Sequence, residues 1–220
     1  MVSLHFVNIT DQRPAVAPFR GTEARFGTNP VCIAMPGPSP ERPIILDMAT
    51  SRIAMGKVRV ARNKGEQVGA GILLDPEGRP TTDPHVMYRR PRGALLPFGE
   101  HKGYGLAFIC EMLGGALTGS GTMRPERQDA ESVTNGMLTI VIDPERLVGR
   151  DWLAEEIAAM TAYVTASFPR DPDEPVLIPG DPERQKRAQR QREGVPIDPE
   201  TWRELVAAAR TVNVLVETAA

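Results

Sequence analysis

The sequence predicts a mixed α/β fold in which strands and helices do not alternate as regular βαβ units. Three observations carry this. Short β-branched runs with alternating polarity occur in both halves of the chain, and three helical segments lie among and after them. None of the strands is followed by a glycine-rich phosphate loop, and the order of elements does not suit a doubly wound parallel sheet.

In chain order, alternation predicts strands over residues 2–9, 31–34, 43–46 and 137–142. The last is closed by the turn signal Asp143-Pro144. Pro- and Gly-rich loops cover 36–43 and 75–84, and the short apolar piece Ile72-Leu73-Leu74 reads as an edge strand within a loop over 65–78. Residues 101–118 carry Leu106, Phe108, Ile109, Met112, Leu113 and Leu117, with Glu111 as the one acid of the helix body. This segment is apolar almost all round and is expected to be a buried central helix. A second helix over 152–168 spaces Leu153, Ile157, Met160, Val164 and Phe168 by three and four, and Pro169 stops it. The third starts at Asp198-Pro199, a cap followed by proline at the first helical position, and runs to about residue 212. Residues 183–192 suit a further, polar helix whose arginines are interleaved with Glu and Gln.

The chain has 220 residues and a formal net charge of −2, so nothing in its balance calls for a nucleic acid or an anionic membrane as partner. No stretch approaches the roughly 20 apolar residues of a membrane span. The two cysteines, Cys32 and Cys110, sit in apolar runs without metal-type spacing, which suits reduced thiols in a cytoplasmic protein. Residues 1–8 lack the basic and apolar regions of a secretion signal.

Four local constellations could carry chemistry. Gly27-Thr28-Asn29-Pro30 is either a turn entering a strand or a loop offered to a ligand. In Leu46-Asp47-Met48-Ala49-Thr50-Ser51 an acid ends a strand and small polar residues follow; this suits a ligand loop, or an Asp capping a helix that begins near Ser51. Gly99-Glu100-His101-Lys102-Gly103-Tyr104-Gly105 leads into the apolar helix. A lysine opposes the macrodipole there, so it calls for an anion or for a carboxylate partner such as Glu100. Ile178-Pro179-Gly180-Asp181-Pro182-Glu183 is a turn that opens the polar helix.

In this order, the segments resemble the malate/L-lactate dehydrogenase family. The likeness runs from Phe6-Val7-Asn8 through Phe26-Gly27-Thr28-Asn29-Pro30, the 46–51 loop, Gly78-Arg79-Pro80-Thr81-Thr82-Asp83-Pro84, residues 95–105 and Asn135-Gly136 to the tail Gly194-Val195-Pro196-Ile197. Residues 99–121 and 181–202 carry a narrower likeness to its hydroxycarboxylate dehydrogenase branch. The resemblance implies a malate/L-lactate dehydrogenase-like fold that is not a Rossmann fold, with packed helices on a largely antiparallel central sheet. It implies hydride transfer between NAD(P)H and a 2-oxo or 2-hydroxy acid, by a homodimer. NAD is the expected cofactor, with NADP possible, since Asp181 and Glu183 put acids near the nucleotide.

By position, Asp47, Met48, Ala49, Thr50 and Ser51 would line the cofactor, with Lys102 and Asn135 reaching it and Gly180, Asp181, Pro182 and Glu183 closing over it. Thr28 and Asn29 would meet the substrate, and no metal is implied. The expected division is a nucleotide-binding unit over 1–170 and a C-terminal segment over 171–220. The family's proton-donating histidine lies in a segment before the one that matches residue 1, so the chain is expected to be N-terminally shortened. His5, His85 and His101 do not replace that group. The alternatives are a catalytically inactive nucleotide-binding fragment and an interaction domain that uses its apolar helices.

Overall fold

The computed structural model describes residues 1–128 and 133–216. Its main sheet has four antiparallel strands in the order β3-β2-β1-β7, with β1 at Val2–Thr10, β2 at Val31–Met35, β3 at Ile44–Met48 and β7 at Thr134–Ile142. β1 is central: Phe6 faces Val31 on one side and Leu138 on the other, and Val31 in turn faces Met48. All four expected strands are present, and the mixed α/β fold with an antiparallel sheet is as expected.

A second sheet has three two-residue strands in the order β5-β4-β6: β4 at Leu73–Leu74, β5 at Pro80–Thr81 and β6 at Ala94–Leu95. The expected edge strand at Leu73-Leu74 is therefore the middle one. Both residues are buried, which explains why an apolar pair sits in an otherwise polar loop. The main apolar core lies here, built from Val16, Val58, Val68, Leu73, Met87 and Leu95.

Helix α1, Met55–Lys64, has no cap hydrogen bond at its start and a weak apolar pattern, and periodicity does not reveal it. Asp47 remains within β3, so the helix-capping alternative for that residue is overturned. Helix α2, His101–Cys110, continues without a break into a π-helical stretch, Glu111–Ala116. It packs on β1 through its small residues. A Cβ on Gly114 would sit 2.8 Å from the Phe6 carbonyl and 2.9 Å from the Asn8 amide, so only glycine allows this approach. The large apolar side chains project the other way. Phe108 is 46% exposed, Ile109 44% and Leu117 68%, which corrects the expectation of a helix buried all round.

Helix α3, Arg150–Thr165, starts and ends a little earlier than its apolar pattern suggests. Ile157 and Thr161 form its buried line, and they face Met35, Ile44 and Ile178 across a groove. Phe168 falls beyond the helix and is 97% exposed. The polar helix exists as α4, Asp181–Glu193, and α5 spans Pro199–Thr211. Asp198 caps α5 as expected, accepting from the Thr201 amide at 2.8 Å. α5 docks on α1 through Arg62–Glu204 and Asn63–Thr201 contacts. No helix among the described residues is long and apolar enough to cross a membrane.

Candidate functional site

Antiparallel pairing brings the end of β3, the approach to β2, the end of β1 and the start of β7 to one end of the main sheet. Four of the predicted segments meet or border there. Thr50 is the tie: its amide and its hydroxyl both donate to the Thr28 carbonyl at 2.9 Å, and its own carbonyl accepts from the Phe98 amide at 3.0 Å. Gly103 of α2 lies directly over that carbonyl, where a Cβ would approach within 2.8 Å. The loop at Thr28, the loop at Thr50 and the start of α2 are thus held as one unit.

This geometry redistributes the residues of the 47–51 loop. Thr50 and Ser51 are buried, and their hydroxyls are used on the Thr28 and Ile53 carbonyls rather than turned outward. Asp47 is exposed on the sheet face opposite α2, while Met48 and Ala49 are half-buried. In register across that face, Asp47 lies beside Cys32 and Cys32 beside His5, whose other neighbour is Thr139. Burial, and then the nearby Asp47, push the Cys32 thiol above its usual range.

Asn29 points inward. It is fully buried with φ of 33°, and its Nδ2 donates to Glu111 Oε1 at 2.8 Å and to the Ala107 carbonyl at 3.1 Å. The other Glu111 oxygen accepts from the Met123 amide at 2.9 Å and from Asn8 Nδ2 at 3.4 Å. Glu111 is buried among these donors, so its charge is met by hydrogen bonds, as a buried carboxylate requires. Asn8 and Glu111 belong to the site's framework and are not among the expected site residues. A single acid in an apolar helix is the sequence signal that marks this network.

Thr28 lines an open cleft of about 580 Å³. Lys102 is exposed at the second position of α2, and among the described residues no carboxylate lies within ion-pair distance of it. Glu100 is therefore not its partner. Glu100 precedes the helix with φ of 55°, a conformation that favours glycine, and gives no side-chain cap. Asn135 is exposed on β7 opposite Ile9, at the other edge of the sheet from β3. α2 and its π-helical continuation run from Lys102 to Gly114, and the Gly114 carbonyl lies against Gly136, the chain neighbour of Asn135.

The 180–183 turn docks on the outer edge of β3, where Pro179 accepts from the Ile45 amide at 3.1 Å. Asp181 is buried and holds this dock: it accepts from Arg42 Nε at 2.9 Å, from Arg184 at 2.7 Å and from the Ile178 amide at 3.1 Å. The Arg42 guanidinium, with help from Arg184 and that amide, keeps its carboxyl well below the usual carboxylate range. Asp181 therefore acts inside the protein, and it gives no support to the expectation of NAD over NADP. Pro182 and Glu183 are exposed.

None of the histidines borders the Thr28 cleft. His5 bonds Thr139 Oγ1 at 2.9 Å and Ser3 Oγ at 3.1 Å, which satisfies a polar residue in a central strand. His85 pairs with Asp83, and the exposed His101 meets the Phe19 ring edge-on. Both cysteines are free, and among the described residues no group of His, Cys, Asp and Glu is arranged to hold a metal ion.

Residues 1–206 match the malate/L-lactate dehydrogenase family model. The chain is 46% identical over 219 residues to hydroxycarboxylate dehydrogenase B of Escherichia coli strain K12, covering 99% of this chain and 60% of that protein. It is 40% identical over 218 residues to an L-lactate dehydrogenase of Cupriavidus necator, covering 99% and 62%. A solved structure of a malate/lactate dehydrogenase-like protein from Escherichia coli superposes with a TM-score of 0.89 at 45% identity, covering 97% of this chain and 59% of that one. The chain thus spans about three fifths of the length of the relatives it matches.

Proposed function

The chain belongs to the malate/L-lactate dehydrogenase family, and on that premise we propose that it forms the nucleotide-holding part of an oxidoreductase that interconverts 2-oxo and 2-hydroxy acids with a nicotinamide cofactor. The observation that carries this is Lys102: an exposed cation with no carboxylate within ion-pair distance among the described residues, at the start of a helix whose His101 amide finds no acceptor among them. A cation beside an open amide at a helix start offers a contact for the pyrophosphate of a dinucleotide, while the Lys102 and Gly103 amides are already used on the Gly99 and Phe98 carbonyls. The residues present therefore fit the cofactor.

When bound, the reduced nicotinamide would supply a hydride to the 2-carbon of the oxo acid. The chain's own residues bind and orient. Lys102 neutralises phosphate charge, and the Thr50–Thr28 tie fixes the loop next to it. Asp47, Met48 and Ala49 offer the outward surface of the 47–51 loop. Asp181 is a positioning residue that sets the 180–183 turn, from which Pro182 and Glu183 reach the nucleotide. Thr28 contacts the acid, and Glu111 acts through Asn29 to hold Thr28 in place. Asn135, at the far edge of the sheet, meets the opposite end of the bound molecules. We further propose NAD or NADP as the cofactor and a cytoplasmic homodimer as the working form. The family relatives named for lactate and hydroxycarboxylate chemistry support the acid class of the substrate.

A fluorescence titration with NADH tests this reading. Saturable binding that Lys102→Ala weakens by about tenfold is expected, the size of one charge-assisted contact. No binding by a folded chain, or binding indifferent to the substitution, would refute it.

A further inference from the structure

Two of the segments read as nucleotide-binding continue into helices that frame a basic groove. α1 follows the 47–51 loop and carries Lys57 in its first turn, and α4 opens directly from the 180–183 turn. The rotation of α4 about its axis is set on its docked side. There Asp181 accepts from Arg42, and Arg184 donates to Asp181 and to the Pro43 carbonyl, both at 2.7 Å. Residues 183, 186, 187 and 190 share another side, by the three-and-four spacing of a helix. Glu183, Lys186, Arg187 and Arg190 accordingly line a groove of about 660 Å³, to which α1 contributes Lys57 and the chain beyond α4 contributes Val195.

The groove thus gathers four cations and one carboxylate. None of the four cations has a carboxylate within ion-pair distance among the described residues. Glu183 stands four residues before Arg187, the order that favours a helical pair, yet the two do not close on each other. Lys186 donates to the neutral Gln189 side chain at 2.9 Å. Cations gathered on one concave surface repel one another, and a bound anion relieves that repulsion. The neutral diol of a ribose does not answer such an excess; it is held by a carboxylate. A phosphate monoester does, with a charge of about −2 near pH 7 and three acceptor oxygens that an arginine fork matches.

We infer that this groove takes a phosphate monoester on the adenosine ribose of the dinucleotide, so that the chain prefers NADP(H) to NAD(H). Lys57 from α1 and Arg187 from α4 set the choice. The inference rests on the proposed cofactor reading. It reverses the expectation that acids of the 180–183 turn favour NAD, because Asp181 is occupied inside the protein and Glu183 is outnumbered.

Fluorescence titration of the full chain with NADPH and with NADH reads the preference. Calorimetry with adenosine 2′,5′-bisphosphate, adenosine 5′-monophosphate and inorganic phosphate isolates the adenosine end, where the two dinucleotides differ. NADPH is expected to bind at least about tenfold more tightly than NADH, and the bisphosphate to exceed the monophosphate by a similar factor. Lys57→Gln and Arg187→Gln should each reduce both preferences and together abolish them, the loss falling on NADPH and on the bisphosphate. Arg187→Lys, which keeps the charge without the fork, should retain part of each. Equal affinity for the two dinucleotides, tighter binding of NADH, or a preference that survives the double substitution would overturn the inference. Inorganic phosphate bound as tightly as the bisphosphate would overturn it too, by making the groove a general anion site. Selection of the bisphosphate by a chain that binds neither dinucleotide would support the groove and refute the cofactor reading. NADH and NADPH bound alike would do the reverse, and binding of none of these molecules would overturn both.

Discussion

Asn29 and Glu111 meet at 2.8 Å beneath the entry to β2, both buried, one from a loop and the other from the helix that crosses the sheet. Asn29 adopts a positive φ, and the amide–carboxylate bond helps hold it there. The same carboxylate gathers the Met123 amide and Asn8, so one side chain joins β1, the Thr28 loop and the segment after α2.

Removing that carboxylate leaves the Met123 amide without an acceptor and takes one of two acceptors from each of the Asn8 and Asn29 side-chain amides. Glu111→Ala is expected to cost roughly 3 kcal/mol of unfolding free energy in a urea titration, and Glu111→Gln less, because one amide oxygen remains to accept. Equal stability of the Ala variant and the wild type would remove Glu111 from the framework.

Asp181 gives a prediction in pH. Its carboxyl is held below its ordinary value in the folded chain, chiefly by Arg42. The stabilisation is therefore fully present above the unfolded carboxylate value, about 3.9, and is lost as pH falls through the lower folded value. Asp181→Asn should lower stability by roughly 2 kcal/mol near neutrality, between the cost of losing a surface pair and a buried one. The gap between variant and wild type should narrow below about pH 4. A gap that stays constant from pH 7 to 3 would show that the charge is not what holds the turn.

The placement of Asp181 also shows where sequence reading stops. The strands of the main sheet and α5 were legible because alternation and an Asp-Pro cap are local signals. The direction of Asn29, Thr50 and Asp181 was not, because motif spacing identifies polar residues near a ligand loop without saying whether they face the ligand or the protein. α1 escaped because its burial falls on Val58 alone, with Arg and Lys around it. The exposed apolar side of α2 could not be told from a buried one, since composition fixes how apolar a helix is and only packing decides which side is covered.

Thiol chemistry should distinguish the two cysteines. Burial pushes the Cys110 thiol up to about 11, and its Sγ contacts the Pro30 carbonyl at 3.8 Å. Iodoacetamide at pH 8 should leave Cys110 unlabelled in the native chain, because the thiolate is the reactive form and access is closed. Cys32, half-buried on the open sheet face, should label slowly, and both should label rapidly in urea. Native labelling of Cys110 at the rate seen in urea would mean that α2 does not stay packed on β1.

Self-association follows from the outward face of α2. Phe108, Ile109 and Leu117 expose apolar surface on one helix, and such a patch is unfavourable in water unless a second surface covers it. Light scattering of the purified chain should therefore give a mass above the 24.0 kDa of a monomer at micromolar concentration. Phe108→Lys combined with Leu117→Lys should shift it to the monomer without unfolding it, because neither side chain lies on the face that packs against β1 and both sit where a charge can reach solvent. A wild-type chain that is monodisperse and monomeric across the concentration range would show that this face is stable in water uncovered, and that the proposed dimer, if it forms, uses another surface.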